Sequence, residues 1–494
     1  MKLHSSRRGL AHPAHLLLAS LVLLIACLSL SLACLPAASV QAAASPVLKL
    51  PPDLTSVEVR FQGSGGLTLH GSIVEPVHAP MGRPGIVLVT GSGLGLRTER
   101  LPEAIAFAQQ GLSILIYDKR SVGYSINQRN YSQLADDALA AVQALRAHQG
   151  VNPQKVGIWG LSEGGWVAPL AASRSANIAF VIVVGANAMI PLQQETWSVG
   201  DTLHHAGVSG SLLDHTEPTM FRLVAAAALF SEAYYDPIAA LSSLRQPLLG
   251  IWGSDDRSTA PGENPPLFAH ALQQGGNTHY AFRFFKNASH SIHVSRDGGV
   301  SPLPALASGY AQLVGAFVHA VTSGQLPTAD APAPPPQAWQ SVAVPPLMWW
   351  ESLWLQCAVV AVLIIAFATY PLVALVRRLR GSSQKAVAGS PARLLASAGT
   401  VVILSFFPYL ISLMISSENT NVAPVGPVLA GRPLPWLLLQ AASLVVVGAL
   451  VWTAVVWHQA REKMNGSERL RLGLLLVGGA LFVLWALYWG LLLP

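Results

Sequence analysis

Ser162 has the neighbours of a nucleophile. It lies in Lys155-Val-Gly-Ile-Trp-Gly160-Leu-Ser162-Glu-Gly164-Gly165-Trp, the only Gly-x-Ser-x-Gly in the 494-residue chain. A short apolar strand runs straight into it. Ala168, Leu170, Ala171 and Ala172 then continue at helical spacing. A strand that reverses tightly into a helix around a central Ser pushes the Oγ out beside the helix N-terminus, where partial positive charge favours an oxyanion. Gly160 and Gly164 remove Cβ atoms where strand and helix nearly touch.

A serine nucleophile needs a base within reach, and the base needs an orienting acid. Candidates follow in the chain order acid, then base, each after a strand. After the apolar run Pro247–Trp252 comes Gly253-Ser-Asp255-Asp256-Arg257. After Tyr280–Phe285 comes Lys286-Asn-Ala-Ser-His290-Ser-Ile-His293. Asp256, three residues past Gly253, is the expected acid, with Asp255 the fallback. His290 follows a turn of small residues and is the expected base. Its competitor His293 sits in Ile292-His293-Val294, which reads as the start of a helix.

These residues need a scaffold, and the pattern supplies one. Val57–Phe61 and Leu67–Val74 alternate at period two around Gly63–Gly66, a β-hairpin. Continuous apolar strands follow at Gly85–Thr90, Leu112–Tyr117, the elbow strand, Ile178–Val184 and Pro247–Trp252. Helical stretches at Leu101–Gln109 and Leu134–His148 separate the first of them. Alternating buried strands and helices predict an α/β fold with a mostly parallel, doubly wound sheet. Pro191–Gln246 interrupts the alternation with helical sequence and is expected to cap the carboxyl edge. Its His204-His205 pair has no partner at metal-ligand spacing and reads as surface or substrate-lining.

The span from about Val57 to Val321 resembles an α/β-hydrolase, most closely the serine aminopeptidase-like and dienelactone hydrolase-like branch. The motifs are Gly63-Ser-Gly-Gly-Leu-Thr-Leu-His-Gly71, Gly91-Ser-Gly93, Tyr117-Asp-Lys-Arg120, Gly160-Leu-Ser-Glu-Gly-Gly165, Gly253-Ser-Asp-Asp256 and Ser289-His-Ser291. The resemblance implies Ser162 as nucleophile, Asp256 as acid and His290 as base. It also implies an oxyanion hole from the backbone N–H groups of Ser92 and Glu163. Leu161 and Thr90 stand where the family often has His, and Ser121 where it usually has Gly. These departures remove no catalytic group and bear on substrate preference. No cofactor or metal is called for.

Composition sets the surroundings. Charged residues are only 11% and hydrophobic ones 52%. The net charge of +6 is unevenly placed. Residues 347–494 hold ten Lys and Arg against four Glu, and residues 1–44 add Lys2, Arg7 and Arg8. Residues 45–346 hold seventeen basic and twenty acidic residues, a net of −3. The basic excess thus flanks apolar segments, which argues against nucleic-acid binding. Cys27, Cys34 and Cys357 are the only cysteines, so there is no disulfide framework, Cys-based zinc site or cysteine nucleophile in the central domain.

Residues 1–44 read as an export signal: a basic start, the apolar run Leu16–Leu35, and Val40-Gln-Ala42 as a cleavage site. An uncleaved membrane helix and a lipidated Cys27 are the alternatives. The hydrolase domain is placed at 45–324, with the cap at 191–246. A Pro-rich linker, expected as an extended spacer, follows at 325–346. Four apolar stretches in 347–494, about 353–376, 394–416, 434–457 and 472–493, are each long enough to cross a bilayer. No Asp, Glu, Lys or Arg lies deep in them, so a membrane tether is expected rather than a transport path. Lys and Arg crowd the first and third loops, which puts those loops in the cytoplasm and the hydrolase domain outside it. The expectation is a multi-pass cell-membrane serine hydrolase whose partners are the lipid bilayer and a small or medium acyl ester. A serine peptidase and a non-catalytic sensor on the same fold are the competing readings.

Overall fold

The computed structural model describes residues 48–494 except Ala79, Ile126, 381–388, Asn421 and Lys463. The export signal, its cleavage site and Cys27 lie outside the described residues.

The hairpin forms as the alternation requires, with β1 (Leu54–Gln62) antiparallel to β2 (Thr68–Pro76). Six more strands complete the sheet: β3 (Arg83–Val89), β4 (Ser113–Tyr117), β5 (Val151–Leu161), β6 (Val181–Val184), β7 (Leu248–Gly253) and β8 (Tyr280–Phe285). Their order is β1-β2-β4-β3-β5-β6-β7-β8, parallel from β4 onward. Strands β3, β4, β6 and β7 are buried throughout because helices cover both faces.

On one face α1 (Leu101–Ala108) meets α8 (Tyr310–Thr322), with Phe107 and Tyr310 rings 5.4 Å apart. On the other lie α2 (Tyr131–Arg146), α3 (Gly164–Ser173), α6 (Pro237–Ser243) and α7 (Asn264–Gln274). The cap holds α4 (Pro191–His205), a π-turn at Leu212–Thr216 and α5 (Glu217–Ala226), and ends with α6.

The Pro-rich stretch is extended but is not a free spacer. Asp330 pairs with β8, where Phe282 N–H donates to its carbonyl at 2.8 Å. Further on, the Trp197 indole donates to the Trp339 carbonyl at 2.9 Å, and Ser341 contacts Gln193 and Glu263. Proline lacks the N–H for regular pairing, yet the carbonyls and interspersed polar side chains still dock. The segment therefore straps the cap to the body.

Four long helices follow: α9 (Leu353–Leu379), α10 (Gly389–Thr420), α11 (Leu434–Ala460) and α12 (Gly466–Tyr488). Each is long and apolar enough to span a membrane. The last differs from the expected 472–493. Gly490 adopts φ 74°, and residues 491–494 leave the axis to meet the cap. The apolar composition runs on through that turn, so it conceals the helix end.

Candidate active site

Strand β5 delivers Ser162 at φ 56°, a left-handed conformation costing about 1–3 kcal/mol in a non-Gly residue. Two contacts hold it. Ser162 N–H donates to the Val184 carbonyl at 3.1 Å, and Gly165 N–H donates back to the Ser162 carbonyl at 2.7 Å. The glycines do what their spacing implies. A Cβ on Gly160 would collide with the Gly164 carbonyl, and one on Gly164 with the Val89 carbonyl.

The structure separates the acid and base candidates. Asp256, at the end of β7, is buried and accepts from Ser258 N–H and Thr259 N–H, both at 2.8 Å. The Thr259 hydroxyl donates to its other oxygen at 2.5 Å. His290 Nδ1 lies 3.1 and 2.9 Å from the two Asp256 oxygens. With the proton on Nδ1 donated to Asp256, Nε2 is the basic nitrogen. Asp255 turns away and accepts from the Ser254 hydroxyl at 2.8 Å.

His293 is not on a helix. It sits in a bridge with Leu306 and faces α1, its Nε2 3.9 Å from Glu103, an ion-pair distance. Ile292 at φ 60° reverses the chain between the two histidines, which prevents a helix there.

The loops bearing the three residues converge. A Cβ on Gly253 would strike the carbonyls of Ala288 and Ser289, so the acid and base loops abut. A Cβ on Gly185 would lie 2.7 Å from His290 Nδ1, and Gly185 follows the residue that holds Ser162 N–H. Among the described residues Ser162 Oγ and His290 share no hydrogen bond; catalytic contacts of this kind are often long without substrate. Gly91 backs onto Ser162, since a Cβ there would be 3.2 Å from the Ser162 Cβ. That contact brings the loop bearing Ser92 against the elbow bearing Glu163.

Sequence reasoning missed the polar cluster behind the elbow. Lys119 Nζ lies 2.7 Å from Glu163 Oε1 and donates to the Gly91 carbonyl. The Tyr124 hydroxyl donates to Glu163 at 2.9 Å and accepts from Gly93 N–H at 3.2 Å. Burial pushes Lys119 below its ordinary value, with Glu163 pulling the other way. Arg129 adds a second cation, 3.5 Å from Glu163 and 3.8 Å from Glu195 of α4. Burial raises the Glu195 carboxyl, partly offset by Arg129. Lys119 was visible within Tyr117-Asp-Lys-Arg120; Arg129 and Glu195 carried no local signal.

Arg120 of the same motif is structural. It forks onto Asp137 at 2.6 and 2.9 Å and fixes the turn at Ser64. In the cap, His205 contacts Asp201 at 3.2 Å and His204 stacks on Trp339. A cleft of about 610 Å³ opens among Met189, Gln193, Asp236, Glu263 and Leu267, apart from Ser162 and His290.

The sheet order, the strained elbow and the helical cap define an α/β-hydrolase. The chain thus has the fold of this superfamily. Residues 124–301 match the prolyl oligopeptidase family. Polyketide transferase claH of Penicillium crustosum is 35% identical over 133 residues, 26% of this chain and 43% of that protein. Thiohydrolase apmlB of Arthrinium phaeospermum is 28% identical over 133 residues, 26% of this chain and 42% of that protein. The matches thus span less than half the length of these relatives. The acylaminoacyl peptidase of Pyrococcus horikoshii is 18% identical with a TM-score of 0.36, covering 48% of this chain and 38% of that one.

Proposed function

We propose that the chain is a membrane-bound serine hydrolase that cleaves an acyl ester outside the cytoplasm. The observation that carries this reading is the Asp256–His290 pair, 2.9 Å apart, at the strand ends beside the strained Ser162. Ser162 Oγ attacks the acyl carbonyl while His290 Nε2 takes its proton. The N–H groups of Glu163 and Ser92 receive the oxyanion. Collapse expels the alcohol, protonated by His290, and leaves an acyl-enzyme. Water, deprotonated by His290, then releases the acid. The relatives named for polyketide transfer and thiohydrolysis support acyl chemistry.

A peptidase is the second reading. It is favoured by the prolyl oligopeptidase match and by Glu195, which the cap brings to the Arg129–Glu163 cluster and which could receive a substrate amine.

Fluorophosphonate labelling of full-length protein in membranes tests the proposal. Ser162 should carry the label, and Ser162→Ala should abolish both labelling and p-nitrophenyl ester hydrolysis. Ester hydrolysis that persists in Ser162→Ala would sink it. Faster cleavage of aminoacyl-arylamides than of esters would favour the peptidase.

A further inference from the structure

The cap does not hang free of the four long helices. Leu203, Leu212 and Phe221 of the cap share one apolar core with Phe406, Trp436 and Trp489 of the bundle. Polar contacts pin the join. Ser209 N–H donates to the Gly431 carbonyl at 2.7 Å, Ser211 N–H to the Pro494 carbonyl at 2.9 Å, and the Thr216 hydroxyl to the Trp489 carbonyl at 2.8 Å. Buried apolar contact of this kind, with its backbone groups satisfied, makes cap and bundle end one unit. If the bundle crosses a bilayer, the cap rests at the bilayer surface.

The same cap contacts the residues beside Ser162. Glu195 lies 3.8 Å from Arg129, and Arg129 lies 3.5 Å from Glu163. The cap therefore touches both the bundle end and the Arg129–Glu163 cluster beside the elbow.

One stretch of chain links the two places. On α5, Arg222 forks onto Glu351 at 3.0 and 2.6 Å, just before α9. Beside Glu351, Trp349 and Trp354 are 79% and 83% exposed, as side chains seated among lipid headgroups would be. After α5 the segment 227–235 turns back onto Arg129. Its Phe230 ring lies 5.1 Å from the Arg129 guanidinium, and its Ser231 hydroxyl accepts from Arg129 N–H. Its outward side chains Leu229 and Tyr234 are 43% and 40% exposed. The segment thus carries exposed apolar side chains next to the Arg129–Glu163 cluster and follows directly on the helix that meets the membrane flank.

We propose that the substrate is a long-chain acyl amphiphile taken from the bilayer, with its chain along segment 227–235 and its carbonyl at Ser162. This rests on the acyl-hydrolase reading. An enzyme seated there need not draw the whole chain through water, which is the unfavourable step for a long acyl group.

The test uses full-length protein in phospholipid vesicles, with p-nitrophenyl palmitate in the same vesicles and p-nitrophenyl butyrate in solution. kcat/KM for palmitate should exceed that for butyrate by at least about tenfold, roughly 1.4 kcal/mol. Palmitate held in separate, protein-free vesicles should be cleaved far more slowly. Leu229→Glu with Tyr234→Glu should lower the palmitate-to-butyrate ratio at least about fivefold, in protein that still takes the fluorophosphonate label. Faster turnover of butyrate, or equal turnover of palmitate from either vesicle population, overturns the proposal. The wild-type profile decides alone if the double variant does not label. Residual hydrolysis in Ser162→Ala would instead defeat the acyl-hydrolase reading.

Discussion

Lys119 joins two backbone segments that flank the candidate nucleophile. Its ammonium sits 2.7 Å from Glu163 Oε1, on the residue after Ser162, and also donates to the carbonyl of Gly91, before Ser92. Both proposed oxyanion donors are therefore held by one buried cation. Hydrogen bonds aimed at a developing charge work best when they need no rearrangement, so this pair would hold in place the donors that the proposed acyl transfer needs.

Lys119→Met should accordingly harm both stability and turnover. Removing one partner of a buried ion pair costs about 3–5 kcal/mol, because the other charge is left uncompensated. Loss of oxyanion geometry should lower kcat by about 10²-fold or more. Adding Glu163→Gln should restore part of the stability, since no charge is then stranded. Thermal unfolding and ester hydrolysis of the two single variants and the double variant measure the coupling. Wild-type kcat in Lys119→Met would count against the role.

Asp256→Asn should lower kcat by about 10⁴-fold, by favouring the wrong His290 tautomer. Asp255→Asn should stay within a few-fold of wild type, because Asp255 bonds Ser254 and not His290. The reverse result would move the acid by one residue.

The catalytic candidates could be read because each sits at a strand end with a local signature. The elbow has its two glycines, Asp256 follows Gly253, and His290 follows a small-residue turn. The hairpin and buried strands were equally legible from period and apolar runs. Arg129 and Glu195 were not, since they meet across 66 positions and only the cap fold brings them together. The shared core of cap and bundle was hidden for another reason. Leu203 or Phe221 looks the same in sequence whether it packs on its own domain or on Trp489. The docking of 325–346 was not legible, because proline content reports backbone stiffness and not what the chain lies against.

His293 gives a pH-dependent prediction. The neighbouring Glu103 carboxylate holds it above the ordinary histidine value of 6.5, against burial, with support from the Leu303 carbonyl and opposition from Arg100. A folded-state value above the unfolded one means the charged form stabilises the fold. That contribution is complete below about pH 6.5 and is lost as pH rises through the higher folded value. His293→Gln should therefore lower the thermal midpoint by a few degrees at about pH 5.5, and less at about pH 9. An equal loss at both values would show that the Glu103 contact contributes nothing electrostatic.

Topology can be decided without reference to catalysis. Nine Lys and Arg fall in the two loops 377–393 and 458–471, and only Arg432 falls between the second and third long helices. Short loops rich in Lys and Arg stay in the cytoplasm. Four crossings return the chain to its starting side, so residues 45–346 and Pro494 should share the outer face. The contact of Ser211 N–H with the Pro494 carbonyl requires that same sharing, whichever face it is. A retained N-terminal helix would change the number of crossings but not the side, because Lys2, Arg7 and Arg8 would stay inside. Alkaline phosphatase should be active when fused after Gly324 or Pro494 and inactive after Ser382. Activity after Ser382 alone would invert the arrangement and put Ser162 in the cytoplasm, where the bilayer supplying its substrate would be the inner leaflet.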